Sequence, residues 1–311
     1  MAWIKKGIIY MPDGSNALMH SHAAIPYIDK ITPGRLRIYF SSRNKEGKSL
    51  PFSIDVNAKN LQEIYTINDF PILELGKLGT FDDCGIMPSC IVTYGNKKYM
   101  YYIGWNPQVT VSYRLSIGLA ISEDGGGTFL KHSNGPILDR DINEPYFNTA
   151  PFVLLENGIW RMWYISCTEW IIINNHPEPK YHIKYCESGD GINWNKKGIV
   201  CIDYDADAEA IGRPTVFFEN GIYKMYYSYR KIADYRTNRD KAYRLGYAES
   251  FDGIVWEKMN ELVGIKMSAN VSDWDHQMIA YCHVLVLEDK KLMIYNGNGF
   301  GKSGIGYAIY E

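Results

Sequence analysis

The sequence lacks an excess of charge of either sign. Its 33 lysines and arginines nearly balance its 35 aspartates and glutamates, which leaves a net charge of -2 over 311 residues. Proteins that bind nucleic acids or anionic membranes usually carry a strongly basic face or tail. We therefore expect neither a nucleic acid nor a membrane as a partner, and the composition does not indicate an oligomeric state.

The sequence also lacks long apolar runs and paired cysteines. No run approaches the roughly 18 apolar residues of a membrane span, and the opening MAWIKKG has no apolar signal-peptide region. The six cysteines form no C-x-x-C pair, so neither a zinc site nor a disulfide framework is indicated. These absences predict a reduced, cytoplasmic protein, unless a signal sequence has been removed.

What the sequence does contain is one segment repeated five times. The copies are apolar and rich in tyrosine, and they follow one another at steps of about 62 to 68 residues. They cover residues 35–42, 97–104, 159–166, 222–229 and 291–298. Because the copies account for nearly the whole chain, they indicate a repeat architecture in a single domain, residues 1–311.

Each copy is accompanied by further predicted strands. An apolar strand, often opened by proline, precedes it at residues 25–28, 87–92, 150–155, 213–218 and 281–287. A third strand follows it, and a fourth begins after Asp-Gly turns such as EDGGGTF and GDGINW. These turns favour hairpins because Asp-Gly accommodates positive φ. Four antiparallel strands repeated five times predict an all-β fold, a five-bladed β-propeller.

The last unit stops after three strands, and its missing fourth strand is predicted at the other end of the chain. Residues 2–10, AWIKKGIIY, resemble residues 193–201, NWNKKGIVC, which occupy the fourth-strand position of an inner unit. The N-terminal strand should therefore close the last blade. A β-sandwich or two separate domains would not predict this match.

Loop lengths distinguish the two faces of the predicted ring. The turns between first and second strands are short, whereas the loops between second and third strands are long, at 104–116, 167–182 and 230–244. Long loops are more often functional than short turns. We therefore place the functional site on the face that carries them, together with the residues leading into the first strands.

Charged residues lead into the first strands at repeated positions. Asp83 and Glu209 stand five residues before the strand-opening proline, and Arg213 stands one before it. Because alternate residues of a strand share a side, Glu209 and Arg213 should point the same way. A second set, for which turn capping or solvation is an alternative, stands seven residues before the same position: Glu144, Asp207 and Asp275.

The repeats and turns resemble a known superfamily. The second strands IWRMWYIS and IYKMYYSY, together with the S-x-D-G-x-x-W turns, resemble the five-bladed glycosidase propellers. These are the arabinanase and β-xylosidase, invertase and levansucrase, and mannoside-phosphorylase families. The stretch SEDGGGTF also fits the structural Asp box of sialidases, but five repeats differ from the six-bladed sialidase ring.

The resemblance implies a carbohydrate-active enzyme, a glycoside hydrolase or a phosphorylase, with carboxylates at the channel mouth. Glycoside cleavage needs one carboxylic acid to protonate the leaving oxygen and usually a second carboxylate. By position in the resembled families, the catalytic candidates are Asp83, Glu144 and Glu209. Blade one departs from the pattern, because MHSHAAIP offers His22 and its neighbours where those hydrolases place an aspartate.

That departure leaves alternatives open. Inorganic phosphate could be the nucleophile, the ring could bind a sugar or nucleotide sugar without hydrolysis, or a flat mouth could scaffold other proteins. Activated sugars need cations, and the substrate-binding candidates are therefore basic, polar and aromatic residues of the mouth. They are His22, Arg43, Trp170, Arg213, Arg230, Asp275, His276, Asn296 and Asn298. No cofactor is expected, and no ligand spacing supports a divalent ion in the channel.

Overall fold

The computed structural model describes residues 2–206 and 208–311, so the candidate Asp207 lies outside the described residues. Its regular structure is almost entirely β-strand, which confirms the predicted all-β class. The strands are β1 (Trp3–Tyr10), β2 (Ser21–Thr32), β3 (Arg35–Arg43), β4 (Ser49–Asn57), β5 (Ile64–Ile67), β6 (Gly85–Tyr94), β7 (Lys97–Pro107), β8 (Tyr113–Ser122), β9 (Leu130–Lys131), β10 (Asn148–Glu156), β11 (Ile159–Ile173), β12 (His176–Ser188), β13 (Asn195–Ile202), β14 (Ala210–Glu219), β15 (Ile222–Arg230), β16 (Arg244–Ser250), β17 (Glu257–Lys258), β18 (Ala280–Val286), β19 (Lys291–Asn296) and β20 (Ile305–Tyr310).

Helical structure is confined to short pieces in the described chain. Two 3-10 turns cover Arg239–Lys241 and Asn260–Leu262, and a four-residue helix, α1, covers Asn298–Gly301. Within the described residues, no helix is long and apolar enough to cross a membrane.

The strands pair antiparallel in sets of four that largely follow chain order. The first four sets are β2 to β5, β6 to β9, β10 to β13 and β14 to β17. In the fifth set, β18, β19 and β20 pair in that order, and β1 pairs with the free side of β20. Trp3 lies opposite Tyr310, so residues from both ends of the chain share one sheet.

The first strands of the five sets are neighbours in space. Strand β2 contacts β6 and β18, β10 contacts β6 and β14, and β14 also contacts β18. Single parallel bridges, Ser49 with Gly85 and Tyr181 with Ala210, join β4 to β6 and β12 to β14. Residues of all five first strands can therefore meet at one place in the molecule.

A repeated hydrogen bond fastens the second strand of one set to the Asp-Gly turn of the next. The donors are buried aromatic residues at the same position of each repeat. The pairs are the Tyr39 hydroxyl with the Gly126 carbonyl (3.1 Å), the Tyr101 hydroxyl with Gly191 (2.9 Å) and the Trp163 Nε1 with Gly253 (2.8 Å). These aromatic residues of the repeats therefore join neighbouring sets, because a buried ring with a polar edge needs a hydrogen-bond partner for that edge.

Residues 167–182 differ from the predicted long loop. Strand β11 continues to Ile173 and β12 begins at His176, so the segment is an extended hairpin. Its turn residues Asn174 and Asn175 have φ values of +51° and +61°. Asparagine tolerates this left-handed conformation, which two-residue hairpin turns require.

Candidate ligand-binding cavity

A cavity of about 370 Å³ lies where the first strands meet. Every first strand contributes to its wall, and in all five the residue just before the strand-opening proline or its equivalent borders the cavity. These residues are Ile25, Met87, Ala150, Arg213 and Tyr281. The repeat therefore delivers five side chains of very different chemistry to one place.

Four of these five residues have an unusual backbone conformation. The φ values of Ile25, Ala150, Arg213 and Tyr281 lie between +46° and +56°. Each of the four strands also shows a register shift next to this residue. Positive φ is strained for residues with a side chain, above all for a β-branched one, and bulges redirect side chains. The strained positions coincide with the cavity wall.

Aromatic rings form much of the remaining wall. They come from the second and third strands, the segment before β10, the loop after β15 and the helix α1. Those bordering the cavity are Trp105, Tyr113, Phe147, Tyr181, Tyr235, Tyr243 and Phe300. Burial raises the pKa of Tyr113, Tyr181 and Tyr235 above the usual value. These phenols therefore stay protonated and can donate hydrogen bonds at neutral pH.

The charged residues of the wall are all arginines. Arg43 lies at the end of β3, Arg213 in β14, Arg230 at the end of β15, and Arg236 in the loop that follows. Within the described part of the chain, no aspartate or glutamate borders the cavity. The electrostatic potential of the cavity should therefore be positive.

Arg213 is 1% exposed and has no carboxylate partner among the described residues. Its Nη2 donates to the Pro26 carbonyl at 3.1 Å and its Nη1 to the Pro214 carbonyl at 3.4 Å, while Nε has no hydrogen-bond partner. Burial lowers the pKa of Arg213. An arginine nonetheless remains cationic in a protein, so a positive charge is buried beside the cavity.

Arg230 is 2% exposed and lies among tyrosines. Its guanidinium carbon is 3.6 Å from the ring centre of Tyr235 and 5.5 Å from those of Tyr181 and Tyr243. The Nη1 donates to the Lys231 carbonyl at 2.9 Å, and Nε has no partner in the described chain. The rings offset part of the charge by cation-π attraction.

Arg236 differs from its neighbours because it has a counterion. Its guanidinium forms an ion pair with Glu178, which also accepts a hydrogen bond from the Tyr235 hydroxyl at 3.0 Å. Glu178 lies behind these two residues in a smaller pocket with His176. This carboxylate therefore balances one of the four arginines.

The predicted catalytic carboxylates Asp83 and Glu209 do not reach the cavity wall. Both precede their strands, and so strand alternation does not fix their direction. The carboxylate of Asp83 accepts the Gly79 amide at 2.8 Å, and that of Glu209 accepts the Ile232 amide at 3.1 Å. Of the pair Glu209 and Arg213, which we expected to point the same way, only Arg213 borders the cavity.

Glu144, the third predicted catalytic residue, belongs to a buried polar cluster. It is 3% exposed, and it accepts hydrogen bonds from Tyr164 (2.9 Å), Asn148 (2.6 Å) and Ser166 (2.8 Å). The Nζ of Lys184 lies 3.4 Å from its Oε1. Both oxygens of the Glu144 carboxylate therefore have partners within the protein, and Glu144 does not border the cavity.

The same cluster occurs in two other sets. In each, a carboxylate accepts the hydroxyl of the tyrosine 20 residues later and pairs with a lysine. The members are Asp82 with Tyr102 and Lys131, and Asp275 with Tyr295 and Lys5. Asp275, predicted to bind substrate, is therefore the counterpart of Glu144. A carboxylate recurs at this position because it accepts a tyrosine hydroxyl and pairs with a lysine inside each sheet.

The remaining predicted binding residues do not border the cavity. His22 lies near Arg43 and Lys302, and burial together with these cations lowers its pKa to about 4. Trp170 packs against Tyr113 (5.4 Å) and Phe147 (5.9 Å), which do border the cavity.

The other three predicted residues hold loops in place. His276 Nδ1 lies 2.9 Å from the Ser268 carbonyl, and Asn298 accepts the Gln277 amide at 2.7 Å. Asn296 is fully buried and accepts the amide of Ile25 at 2.8 Å, so it supports one of the strained cavity residues.

Of the predicted set, the structure thus brings together Arg43, Arg213 and Arg230. Sequence reasoning missed Arg236 and most of the aromatic wall. The signal was present in the loop RKIADYRTNRDKAYR, whose alternating basic residues and tyrosines supply Tyr235, Arg236 and Tyr243. Within the described residues, no three His, Cys, Asp or Glu side chains are grouped so as to hold a metal ion.

Several solved structures share this fold, and they are glycoside hydrolases. One described as a glycoside hydrolase gives a TM-score of 0.75 at 17% identity, over 99% of this chain and 91% of its own. A thermostable family-43 glycoside hydrolase gives 0.66 at 18% identity, over 96% and 91%. A putative glycosidase from Bacteroides thetaiotaomicron gives 0.71 at 14% identity, over 99% and 96%. The chain therefore shares the fold of these three structures.

The relatives by sequence are mycobacterial. No protein-family model matches the chain. Two Mycobacterium tuberculosis proteins, described as uncharacterized protein Rv1502 and uncharacterized protein MT1551, are each 36% identical over 312 residues, which covers all of both chains. The chain belongs to the family of these two proteins.

Proposed function

We propose that the chain is a five-bladed β-propeller and that its central cavity binds a glycosyl ligand. Five four-stranded sets, whose first strands contact one another in the order β2, β6, β10, β14, β18 and β2 again, support the ring. Pairing of β1 with β20 supports closure of the last blade by the N-terminal strand. The glycoside hydrolase fold of similar structures supports a carbohydrate ligand.

The observation that carries sugar binding is the aromatic wall of the cavity. Its volume of about 370 Å³ falls in the range of roughly 300 to 1,000 Å³ typical of small-molecule sites. Aromatic faces can stack on the apolar faces of sugar rings, and the hydroxyls of Tyr113 and Tyr281 can bond to sugar hydroxyls. A flat protein-docking mouth would not provide this concave, polar-edged wall.

Binding without a two-carboxylate cleavage mechanism accounts best for the residues present. Hydrolysis requires two carboxyl groups roughly 5 to 10 Å apart across the sugar. Of the predicted trio, Glu144 is saturated in its buried cluster, and neither Asp83 nor Glu209 borders the cavity. The competing hypothesis, favoured by the fold, is cleavage or phosphorolysis with Asp83 and Glu209 turned inward by substrate.

Phe300, which borders the cavity, and Phe251, which is 87% exposed on an Asp-Gly turn, provide a matched pair for the test. We would titrate a panel of mono- and disaccharides into the wild-type protein and into Phe300→Ala and Phe251→Ala by calorimetry. Loss of about 1 to 2 kcal/mol of binding free energy in Phe300→Ala alone is expected. Equal affinity in all three proteins would contradict binding in this cavity.

Catalysis is tested separately on aryl glycosides with and without inorganic phosphate. The proposal expects binding without turnover. Turnover that Asp83→Asn or Glu209→Gln abolishes would favour the competing hypothesis, and a requirement for phosphate would identify it as phosphorolysis.

A further inference from the structure

The cavity contains more positive charge than the protein itself balances. Arg43, Arg213, Arg230 and Arg236 border it, and Arg236 alone among them has an ion-pair partner within the described chain. The protein as a whole has a net charge of -2, so the imbalance is local to this site.

Arg213 and Arg230 are the most informative members of this group. Both are at least 98% buried, both have an Nε without a partner in the described residues, and their other hydrogen bonds go to main-chain carbonyls. Burying a guanidinium without a counterion is unfavourable, and arginine cannot relieve this by losing its proton. A counterion that enters from outside would remove the penalty.

From these observations we infer that the ligand of the cavity is an anionic sugar, which carries a phosphate ester or a carboxylate bound by Arg213, Arg230 and Arg43. The inference rests on the proposed glycosyl-binding function and specifies its ligand class. The aromatic wall contacts the sugar ring, while the guanidinium groups bind the anionic oxygens through charge-assisted hydrogen bonds.

The position of Arg213 strengthens this assignment. The residue lies at φ +54°, in the strained position that four of the five first strands turn toward the cavity. The other positions of this set carry the uncharged residues Ile25, Met87, Ala150 and Tyr281. A fold that merely needed a filled centre would be satisfied by such residues, because an apolar side chain avoids the desolvation of a charge.

The alternative explanation is that cation-π contacts alone stabilise the buried arginines without any ligand. These contacts differ between Arg213 and Arg230. Arg230 lies against three tyrosine rings, whereas Arg213 has no such contact among those the structure describes. Replacing Arg213 by methionine therefore separates the two explanations. If the charge serves only a ligand, Arg213→Met should leave the melting temperature of the free protein unchanged or raise it.

The test uses glucose, glucose 1-phosphate, glucuronate, inorganic phosphate and pyrophosphate as probes of the full chain, with affinity measured by calorimetry and stabilisation by thermal shift. We expect at least one anion to bind the wild type, and its dissociation constant to rise about tenfold to hundredfold in Arg213→Met. Arg43→Gln, at an exposed strand end, should weaken the same anion and keeps the test informative if Arg213→Met fails to fold. Glucose 1-phosphate and glucuronate distinguish a phosphate ester from a carboxylate.

Arg161→Met is the matched control. Arg161 is half-buried, pairs with Glu156 and bonds to Tyr185 and Tyr223 outside the cavity. The substitution Arg161→Met should lower the melting temperature but leave the affinity for anions unchanged.

The outcomes separate the inference from the proposed function. Equal binding of glucose and its phosphate, unaffected by Arg213→Met and Arg43→Gln, would overturn the anionic ligand class while leaving sugar binding intact. Binding of inorganic phosphate or pyrophosphate without any sugar would support the arginine site and contradict the glycosyl ligand. If none of the anions binds the wild type, the inference is wrong.

Discussion

Replacement of Glu144 by alanine tests whether this carboxylate stabilises the fold. The side chain accepts hydrogen bonds from Tyr164, Asn148 and Ser166, and it faces the ammonium of Lys184. In Glu144→Ala, the three donors lose their acceptor in a buried site and the lysine loses its counterion. The change therefore removes the centre of a network whose other members remain buried.

The magnitude follows from this burial. Removing one partner of a buried charged network typically costs about 3 to 5 kcal/mol. An unfolding entropy of roughly 2.1 cal/mol/K per residue amounts to about 0.65 kcal/mol/K for a chain of 311 residues. The melting temperature of Glu144→Ala should therefore fall by about 5 to 8 °C.

Calorimetry and urea denaturation provide the measurement. Glu144→Gln keeps the shape of the side chain and should lose about half as much, while Glu288→Gln, at an exposed loop residue, should change the free energy of unfolding by less than about 0.5 kcal/mol. Asp275→Asn should behave like Glu144→Gln because it occupies the equivalent cluster. Wild-type stability in Glu144→Ala would refute the structural assignment.

Three further changes have definite expected outcomes. A Cβ on Gly85 would come within 1.6 Å of the Trp105 indole, so Gly85→Ala should displace this cavity residue and weaken sugar binding in calorimetry. The control Gly34→Ala, with no atom within 4 Å of the new Cβ, should retain affinity. Asn296→Ala leaves the Ile25 amide unpaired and should cost about 1 to 3 kcal/mol in urea unfolding; an unchanged midpoint would contradict this. Burial alone would raise the pKa of Asp124, but hydrogen bonds from its turn lower this pKa from 3.8 to about 2. The ionised carboxylate should therefore stabilise the fold fully above pH 3.8, and this stabilisation should be lost as the pH falls toward 2. Urea unfolding at each pH measures it, and a free energy of unfolding that stays constant over this range would contradict the prediction.

The strand positions could be predicted from the sequence because each repeat carries its own local signals. The proline or its equivalent, the tyrosine-rich second strand and the Asp-Gly turn recur in register, so their alternation and turn chemistry identify strands without tertiary information. The lengths of the strands were harder to predict from the sequence. The stretch after Cys167 continues as a hairpin because its cross-strand pairs extend it, and those pairs depend on two segments at once.

The site was predicted only where a residue lay within the repeat's own register. Arg213 was found because it precedes the strand-opening proline. Glu144 and Asp275 were found by the same logic, and the structure places both in buried polar clusters, since a repeated carboxylate can serve the sheets as well as a ligand. The tyrosines that bond to them are 20 residues away in sequence, and the lysine partner of Asp275 is 270 residues away, which no local pattern reveals.

Pairing of β1 with β20 has a consequence for the order of folding. The amide of Ala2 donates to the Glu311 carbonyl at 2.8 Å, and Lys5 reaches Asp275, so several partners of β1 lie at a sequence separation of about 300 residues, close to the full length of the described chain. Contacts of such large sequence separation form late and slowly. The first four sets can therefore assemble before β1 pairs with β20, and docking of β1 is expected to be a late step of folding.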